Sequence, residues 1–232
     1  MRKNGRITIQ NMIGAVLFIS LALSIVYAFV HFLHAPATAP EGMPHAKVKS
    51  DYLLMLLQCS MGLAVMFLPT ILSRKWNIVV PGTITVLYYV FLYCAIFLGE
   101  VFEFFYLIPH WDTILHAFSG AMLSALGFVL VDMLNKDSHV KVSMSPFFVS
   151  LFAFCFALAM GAVWEIYEYS FDALLGLNMQ KFITASGEVL VGHHALHDTM
   201  TDLIVDAAAA LMISVIGYVR LKAGKYPASP KE

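Results

Sequence analysis

The sequence predicts an all-α membrane protein, a bundle of six transmembrane helices with both termini in the cytoplasm. Of the 232 residues, 60% are hydrophobic and only 12% are charged, whereas soluble domains carry about 25% charged residues. The hydrophobic residues occur in runs of about 20, which is the helix length needed to cross a hydrocarbon core about 30 Å thick. A soluble globular domain is therefore excluded.

Six hydrophobic segments can be delimited, and together they form one polytopic membrane domain that covers residues 1–232. Their approximate bounds are 11–32, 52–72, 79–100, 112–134, 146–172 and 198–221. The first segment follows a basic N-terminus and in this respect is similar to a signal peptide. Because its hydrophobic part is longer than the 7–15 residues of a signal-peptide core, we expect a retained transmembrane helix.

Basic residues predict the orientation of the six segments, because cytoplasmic connections of membrane proteins are enriched in Lys and Arg. One side of the predicted bundle carries Arg2, Lys3, Arg6, Arg74, Lys75, Lys136, Lys141, Arg220, Lys222 and Lys225. The connections on the other side carry only Lys47, Lys49 and Lys181. Both termini are therefore expected on the cytoplasmic side.

The net charge argues against a nucleic-acid-binding protein, and the cysteine spacing argues against a disulfide-bonded or cysteine-metal protein. The net charge is −1, and the basic residues lie at segment ends without forming a stripe, so no nucleic-acid partner is expected. Cys59, Cys94 and Cys155 lie inside hydrophobic runs and have neither metal-binding nor redox spacing. We expect reduced cysteines that serve as small packing residues.

Two connections on the outer side have a distinctive composition. The stretch "GEVFEFFYLIPHWD" mixes aromatic residues with Glu100 and Glu103, a composition that suits the membrane interface. The last outer loop, at about 173–197, is longer than ordinary connections and includes His193 and His194. We expect Glu100 and Glu103 to be hydrated interfacial residues rather than ligands, and at least one of the loop histidines to be an ordinary polar loop residue.

Acidic and histidine side chains recur at helical spacing in the last three segments. They are Asp112 and His116 in the fourth segment, Glu165, Glu168 and Asp172 in the fifth, and Asp198, Asp202 and Asp206 in the sixth. Residues three or four apart share one face of a helix. At a rise of about 1.5 Å per residue, all three sets fall in the outer third of the membrane, so we expect them to meet at one level.

Such a concentration of acidic groups in a membrane needs a counter-charge or protons, because intramembrane charges are costly. No Lys or Arg occupies that level of the three segments. Protonated carboxylic acids, a hydrated vestibule or a bound cation would each satisfy the requirement, and a divalent cation does so most simply. Mixed carboxylate and imidazole ligands suit zinc, manganese or iron, and no thiolate is available for a closed zinc site. No organic cofactor is predicted.

Roles can be assigned to the individual residues of this predicted site. The predicted metal ligands are His116, Glu165, Asp202 and His197. Glu168 or Asp206 is predicted to be the general base. Further residues predicted to line the site are Asp112, Asp198, Trp164 and Asp172.

Some of these residues also have a structural interpretation. Asp112 and Asp198 stand at predicted helix starts, where Asp is a favourable cap. Glu165 and Glu168 would alternatively be hydrogen-bonded structural residues. Small residues are expected to allow close helix packing; these are Gly120, Ser124, Gly217 and the alanines at 207–210.

Three motifs resemble those of bacterial YjdF-like membrane proteins. They read "HWDTILHAFSG", "WEIYEY" and "HDTMTDLIVDAAAA", and they are more distantly similar to the VanZ-like family. The alanines at 208–210 stand where VanZ-like chains usually have glycine. The YjdF-like resemblance implies a multi-pass protein of the bacterial cytoplasmic (inner) membrane without an established reaction, and VanZ-like proteins are associated with glycopeptide (teicoplanin) resistance.

Three classes of function remain open at the level of the sequence. The leading hypothesis is a metal-dependent hydrolase or transferase that acts on a membrane lipid or lipid-linked substrate. The alternatives are a divalent-cation or proton-coupled transporter or channel, and a non-catalytic envelope or antibiotic-resistance protein. The lack of a GxSxG motif argues against a serine hydrolase, and the sequence predicts no particular oligomeric state.

Overall fold

Helices form the regular structure of the chain in the computed structural model, which describes residues 8–39, 46–76, 80, 82–136, 144–184 and 186–224. The α-helices are α1 (Ile9–His34), α2 (Lys49–Val65), α3 (Leu68–Trp76), α4 (Gly82–Leu92), α5 (Phe104–Leu107), α6 (Trp111–Lys136), α7 (Pro146–Leu175) and α8 (His197–Lys222). A π-helix (Tyr93–Val101) continues α4, and a short 3-10 helix (Gly192–His194) precedes α8. No strand occurs among the described residues.

The prediction of six helices long and hydrophobic enough to cross a membrane is confirmed. The six are Ile9–His34, Lys49–Lys75, Gly82–Val101, Trp111–Leu134, Pro146–Leu175 and His197–Lys222. Their ends lie within three residues of the predicted bounds, although the predicted start of the third segment, at 79, lies outside the described residues. The orientation stays a prediction, since five of the basic residues behind it lie outside the described ranges: Arg2, Lys3, Arg6, Lys141 and Lys225.

The chain forms two compact units. The first comprises the described residues up to Trp111 together with Leu175–Leu177 and the described part of Ile183–Glu188. The second comprises the remaining described residues, from Asp112 onward, and includes the loop residues Asn178–Phe182. Each unit is described by itself below, and the single polytopic domain stays a prediction.

In the first unit, α1 packs against α2, α4 and the π-helix. The core of this unit comprises Leu17, Leu21, Ala28, Met55, Cys59, Met66, Tyr89, Leu92 and Ile96. Many large hydrophobic side chains of α1 remain exposed on its other faces, among them Leu23 and Phe29. An exposed hydrophobic surface of this kind is suited to contact with lipid. Of the three free cysteines, Cys59 is buried in this core, Cys94 is partly buried in the same unit, and Cys155 of the second unit is exposed.

The second hydrophobic segment is broken between α2 and α3, and Pro69 explains the break. Proline has no N–H and cannot donate to the carbonyl four residues earlier, which here belongs to Val65. The Tyr88 hydroxyl of α4 donates to that carbonyl instead, at 2.8 Å. The broken helix thus keeps its hydrogen bonding without water, as a membrane interior requires.

The π-helix is a feature that the hydrophobic pattern did not predict. It occupies the second half of the third segment and includes Gly99, where an added Cβ would clash with the Phe105 ring. The indole N–H of Trp111 donates to the Cys94 carbonyl at 3.3 Å. The chain then passes through left-handed backbone at Glu103 and His110 before α6 begins.

In the second unit, small residues bring α6, α7 and α8 into close contact, as predicted for Gly120 and Gly217. An added Cβ at Gly120 would lie 2.8 Å from the Asp206 carbonyl oxygen, and one at Gly217 would overlap the Phe128 ring. The Ser124 hydroxyl lies 3.0 Å from that of Ser214 across the same α6–α8 contact. These approaches hold the acidic faces of the helices together.

Replacement of Tyr88 by Phe tests the role of its hydroxyl at the helix break. We expect the variant to lose about 1 kcal/mol of stability, which lowers the midpoint of thermal unfolding by about 2–4 °C, because the Val65 carbonyl is left without that donor. Unfolding in detergent measures the effect. Tyr169→Phe, at an exposed tyrosine, is the matched control, and equal midpoints for the two variants would contradict the assignment.

Candidate functional site

The site is built around His116, which lies on the second turn of α6 and is only 7% exposed. Its two ring nitrogens face different carboxylates. Nδ1 is hydrogen-bonded to Asp206 Oδ2 of α8 at 3.2 Å. Nε2 lies 3.8 Å from Asp112 Oδ1 and 3.8 Å from Asp202 Oδ2. The imidazole therefore links the first turn of α6 to two successive turns of α8.

The Nε2 side of His116 has the donor set of a metal site. One ligand atom each from Asp112, His116 and Asp202 lies within 4.8 Å of the other two. Two metal–ligand bonds of about 2.0–2.2 Å can span the 3.8 Å separations on either side of Nε2. These three residues could hold a divalent metal ion. His116 and Asp202 are two of the four predicted ligands, whereas Asp112 was predicted only to line the site.

Asp206 is fully enclosed, with 2% exposure, in a gap that two glycines create. An added Cβ at Gly161 of α7 would overlap Asp206 Oδ2, and one at Gly120 of α6 would lie 3.1 Å from Oδ1. The Ser119 hydroxyl, 3.3 Å from Oδ1, is a further donor to this carboxylate. Asp206, one of the two predicted general bases, is thus hydrogen-bonded to His116 and Ser119. From this position it orients the imidazole.

Glu165 and Glu168 of α7 extend the acidic cluster. Both are buried, and Glu165 interacts electrostatically with His116, Asp112 and Asp206. Asp198 of α8 is less buried as a residue, but its Oδ2 is enclosed. The helical faces predicted to meet do meet here, since α6, α7 and α8 each contribute carboxylates to one cluster.

Asp172 fastens the loop after α7 beside this cluster. Its two carboxylate oxygens accept the backbone N–H groups of Met179 and Gln180, at 2.8 and 2.9 Å. The Gln180 side chain in turn donates to the Thr199 hydroxyl of α8 at 2.8 Å. Asp172 was predicted to line the site. In the structure its carboxylate anchors the loop through these hydrogen bonds.

The fastened loop supplies a basic residue, Lys181, to a cluster in which the acidic turns of α6, α7 and α8 contain no Lys or Arg. Lys181 has left-handed backbone, with φ of 50°, and its Nζ donates to the Met179 carbonyl at 2.8 Å. It is close enough to Glu168 and Asp198 to interact electrostatically with both. From the sequence, Lys181 was expected only as a loop residue, because no periodic pattern reports the conformation of an irregular segment.

Two predicted site residues lie outside the cluster. His197, a predicted ligand, is exposed as the first residue of α8. Trp164 is 37% exposed and packs against the Tyr167 ring. Both directly precede a residue of the cluster in the chain, and a helix turns by about 100° per residue, so adjacent residues point in different directions.

The residues that were expected to be hydrated are more exposed than those of the cluster. Glu103, in the first unit, forms an ion pair of 2.9 Å with Lys47 and is partly exposed. His193 and His194 are exposed in the short 3-10 helix. The second unit, with its carboxylate and histidine cluster on three long hydrophobic helices, thus holds the candidate site of a multi-pass membrane protein.

Comparison with known proteins assigns the chain to a family. Residues 12–223 match the family described as "Predicted membrane protein (DUF2238)", and the chain belongs to it. A Thermotoga maritima protein described as uncharacterized is 28% identical over 130 residues, which are 56% of this chain and 58% of that protein. The matched region thus spans little more than half of that relative. No solved structure matches the chain.

Replacement of Asp172 by Asn tests the support of the loop. The amide nitrogen cannot accept a hydrogen bond, so one of the two backbone N–H groups loses a charged acceptor at a cost of about 1.5–3 kcal/mol. We expect hydrogen exchange at Met179 or Gln180 to become about ten- to a hundredfold faster, as measured by mass spectrometry or NMR. The exposed Glu188→Gln is the control, and unchanged protection in Asp172→Asn would refute this role.

Proposed function

We propose that Asp112, His116 and Asp202 bind a divalent transition-metal ion. The observation that carries the proposal is the arrangement of His116, whose Nδ1 is bonded to Asp206 while Nε2 faces two carboxylates. Metal-binding histidines almost always engage a second group through the other ring nitrogen, which fixes the ring and its tautomer. Asp206 is that second group here.

The donor set suits zinc, manganese or iron. Two carboxylate oxygens and one imidazole nitrogen are ligands that these ions accept, and no cysteine is present among them. Three protein ligands also leave a coordination position for water or substrate, as in catalytic rather than structural sites. The open position favours a chemical role for the ion.

The function that this site supports best is metal-dependent hydrolysis or group transfer on a membrane lipid or lipid-linked substrate. A bound ion would supply an activated water or polarise a substrate oxygen. Of the two predicted general bases, Asp206 is engaged by His116, which leaves Glu168 for proton transfer. Exposed side chains on α7 near the site, including Ile166 and Tyr169, offer contacts for an acyl chain.

Transport of a divalent cation or of protons is the second candidate. The buried hydroxyls of Ser124 and Ser214 favour it, because they extend the polar lining of the α6–α8 contact beyond Asp206. A hydroxyl pair alone also serves as a simple link between membrane helices. The two candidate functions differ in the fate of the ion: a transporter would release it across the membrane, whereas an enzyme would keep it bound.

Within the family, we propose that the chain is a YjdF-like protein of the bacterial cytoplasmic membrane. The three motifs that carry this resemblance contain seven residues of the cluster: Asp112, His116, Glu165, Glu168, Asp198, Asp202 and Asp206. A more distant relation to VanZ-like proteins rests on the same motifs.

Elemental analysis of protein purified in detergent at neutral pH, without chelator, tests the metal site. We expect a bound transition metal in the wild type and its loss in His116→Ala and in Asp202→Ala, because each removes a ligand. Asp206→Asn should weaken metal affinity by about 10–100-fold. Glu188→Gln is the control with unchanged occupancy. A metal-free wild type would refute the site, and full occupancy in both ligand variants would refute the ligand assignment.

Reconstitution into liposomes separates the two candidate functions. For an enzyme, we expect zinc, manganese and proton flux to equal that of protein-free liposomes. Flux that requires the wild-type protein and disappears in Asp206→Asn would instead identify a carrier. His193→Ala, at an exposed loop residue, is the control for effects of reconstitution.

A further inference from the structure

The first unit contains a polar cavity of about 210 Å³. This volume is below the roughly 300–1,000 Å³ of pockets for drug-sized ligands, so the cavity suits a small polar group. Among the residues that line it are Gln10 of α1, Pro69, Thr70, Ser73 and Arg74 of α3, and Thr85 of α4. All of them belong to the first unit. A ligand of this cavity would therefore be independent of the proposed metal ion.

The cavity lies where three candidate membrane spans end on the same side. Gln10 is the second residue of the first span, Arg74 the second-to-last of the second, and Thr85 the fourth of the third. An added Cβ at Gly82 would lie 3.4 Å from Gln10 Oε1, so the starts of α1 and α4 are neighbours. Membrane spans end where the hydrocarbon core meets the lipid headgroups, which places the cavity at headgroup level.

Helix α3 turns its polar face to this cavity. At about 100° per residue, Thr70, Ser73 and Arg74 fall within one arc of about 100° around the helix. The opposite arc carries Leu68 and Ile71, which are 43% and 46% exposed. The helix thus separates hydrophobic side chains suited to contact with lipid from three polar side chains that line one cavity.

The positive charge of Arg74 has no carboxylate partner in the described part of the chain. The ion pairs formed there are those of Lys47 and of His116, and no Asp or Glu is among the described residues that line the cavity. The guanidinium and the neighbouring hydroxyls are hydrogen-bond donors. Arginine commonly binds phosphate oxygens through two parallel N–H groups. This combination of donors suits a phosphate group.

We propose that this cavity binds a phosphate group, with Arg74 as the charged donor and Thr70 and Ser73 as hydroxyl donors. A phospholipid headgroup and free phosphate share this chemistry. The position of the cavity at headgroup level favours the lipid, because basic residues at a membrane surface attract anionic lipids. The first unit would then bind lipid in its own right, in addition to the site of the second unit.

Native mass spectrometry of the full-length protein in detergent tests the proposal, with dioleoylphosphatidylglycerol as the lipid probe. We expect the wild type to bind it more tightly than dioleoylglycerol, which has the same acyl chains and no phosphate. Arg74→Gln should weaken this binding by about 10–100-fold, because charge-assisted hydrogen bonds to the phosphate are lost. Ser73→Ala, which keeps the charge, should weaken it by about 2–10-fold.

Lys75→Gln is the matched control. It removes the same charge as Arg74→Gln at the next residue of α3, which is exposed and lies on the opposite arc. We expect its lipid binding to equal that of the wild type. Equal losses in Arg74→Gln and Lys75→Gln would overturn the proposal in favour of a diffuse basic surface.

Inorganic phosphate, compared with chloride at equal ionic strength, tests the other source of the group. Thermal stabilisation by phosphate that Arg74→Gln abolishes, without lipid binding, would assign the cavity to a soluble phosphate compound. Phosphatidylglycerol bound no more tightly than dioleoylglycerol, together with no effect of phosphate, would overturn the proposal. Unchanged lipid binding in both Arg74→Gln and Ser73→Ala would overturn it as well. Ser73→Ala keeps the test decisive if Arg74→Gln fails to fold.

Discussion

The hydrogen bond between His116 and Asp206 is the contact on which the rest of the site depends. It joins α6 to α8 through two buried side chains at 3.2 Å and fixes the direction of the imidazole. With Nδ1 engaged, Nε2 has to face Asp112 and Asp202. Without that bond the ring could rotate, and three side chains on two helices would lose the common centre that makes them a candidate metal site.

A buried acidic cluster imposes a second constraint, because each carboxylate needs a partner in a region that water does not fill. The chain meets this need in different ways. Asp206 has His116 and Ser119, Asp172 has two backbone N–H groups, and Glu168 has the charge of Lys181 nearby. Glu165 has no such partner among the described residues. The proposed metal ion would add positive charge beside Asp112 and Asp202.

The sequence predicted the helices and the meeting of the acidic faces because both follow from periodicity. Runs of about 20 hydrophobic residues locate membrane helices, and spacings of three and four placed His116, Glu165 and Asp202 on defined faces. Which atoms of facing helices meet is a property of packing between segments. For that reason the sequence could not predict that Asp112 lies with His116 and Asp202 in one close group, or that Asp206 is hydrogen-bonded to His116.

Features that depend on irregular backbone could not be predicted in this way. Lys181 lies near the cluster on a loop whose residues Met179 and Gln180 are hydrogen-bonded to Asp172, and its own backbone is left-handed. No hydrophobic pattern encodes either feature. The π-helix likewise cannot be predicted from the number of hydrophobic residues in the segment. The break at Pro69 was not predicted either, since the segment drawn at 52–72 runs through it, and only the structure shows that the Tyr88 hydroxyl compensates for it.

The glycines around Asp206 make three sequence positions interdependent during evolution. A side chain at Gly161 would occupy the space of the Asp206 carboxylate, so a larger residue at 161 becomes acceptable only where position 206 is smaller. Gly120 restricts the opposite side of the same carboxylate. Drift in this family should therefore change positions 161 and 206 together, whereas Gly120 also lies against the main chain of residue 206 and should stay small even in a homologue that has lost Asp206.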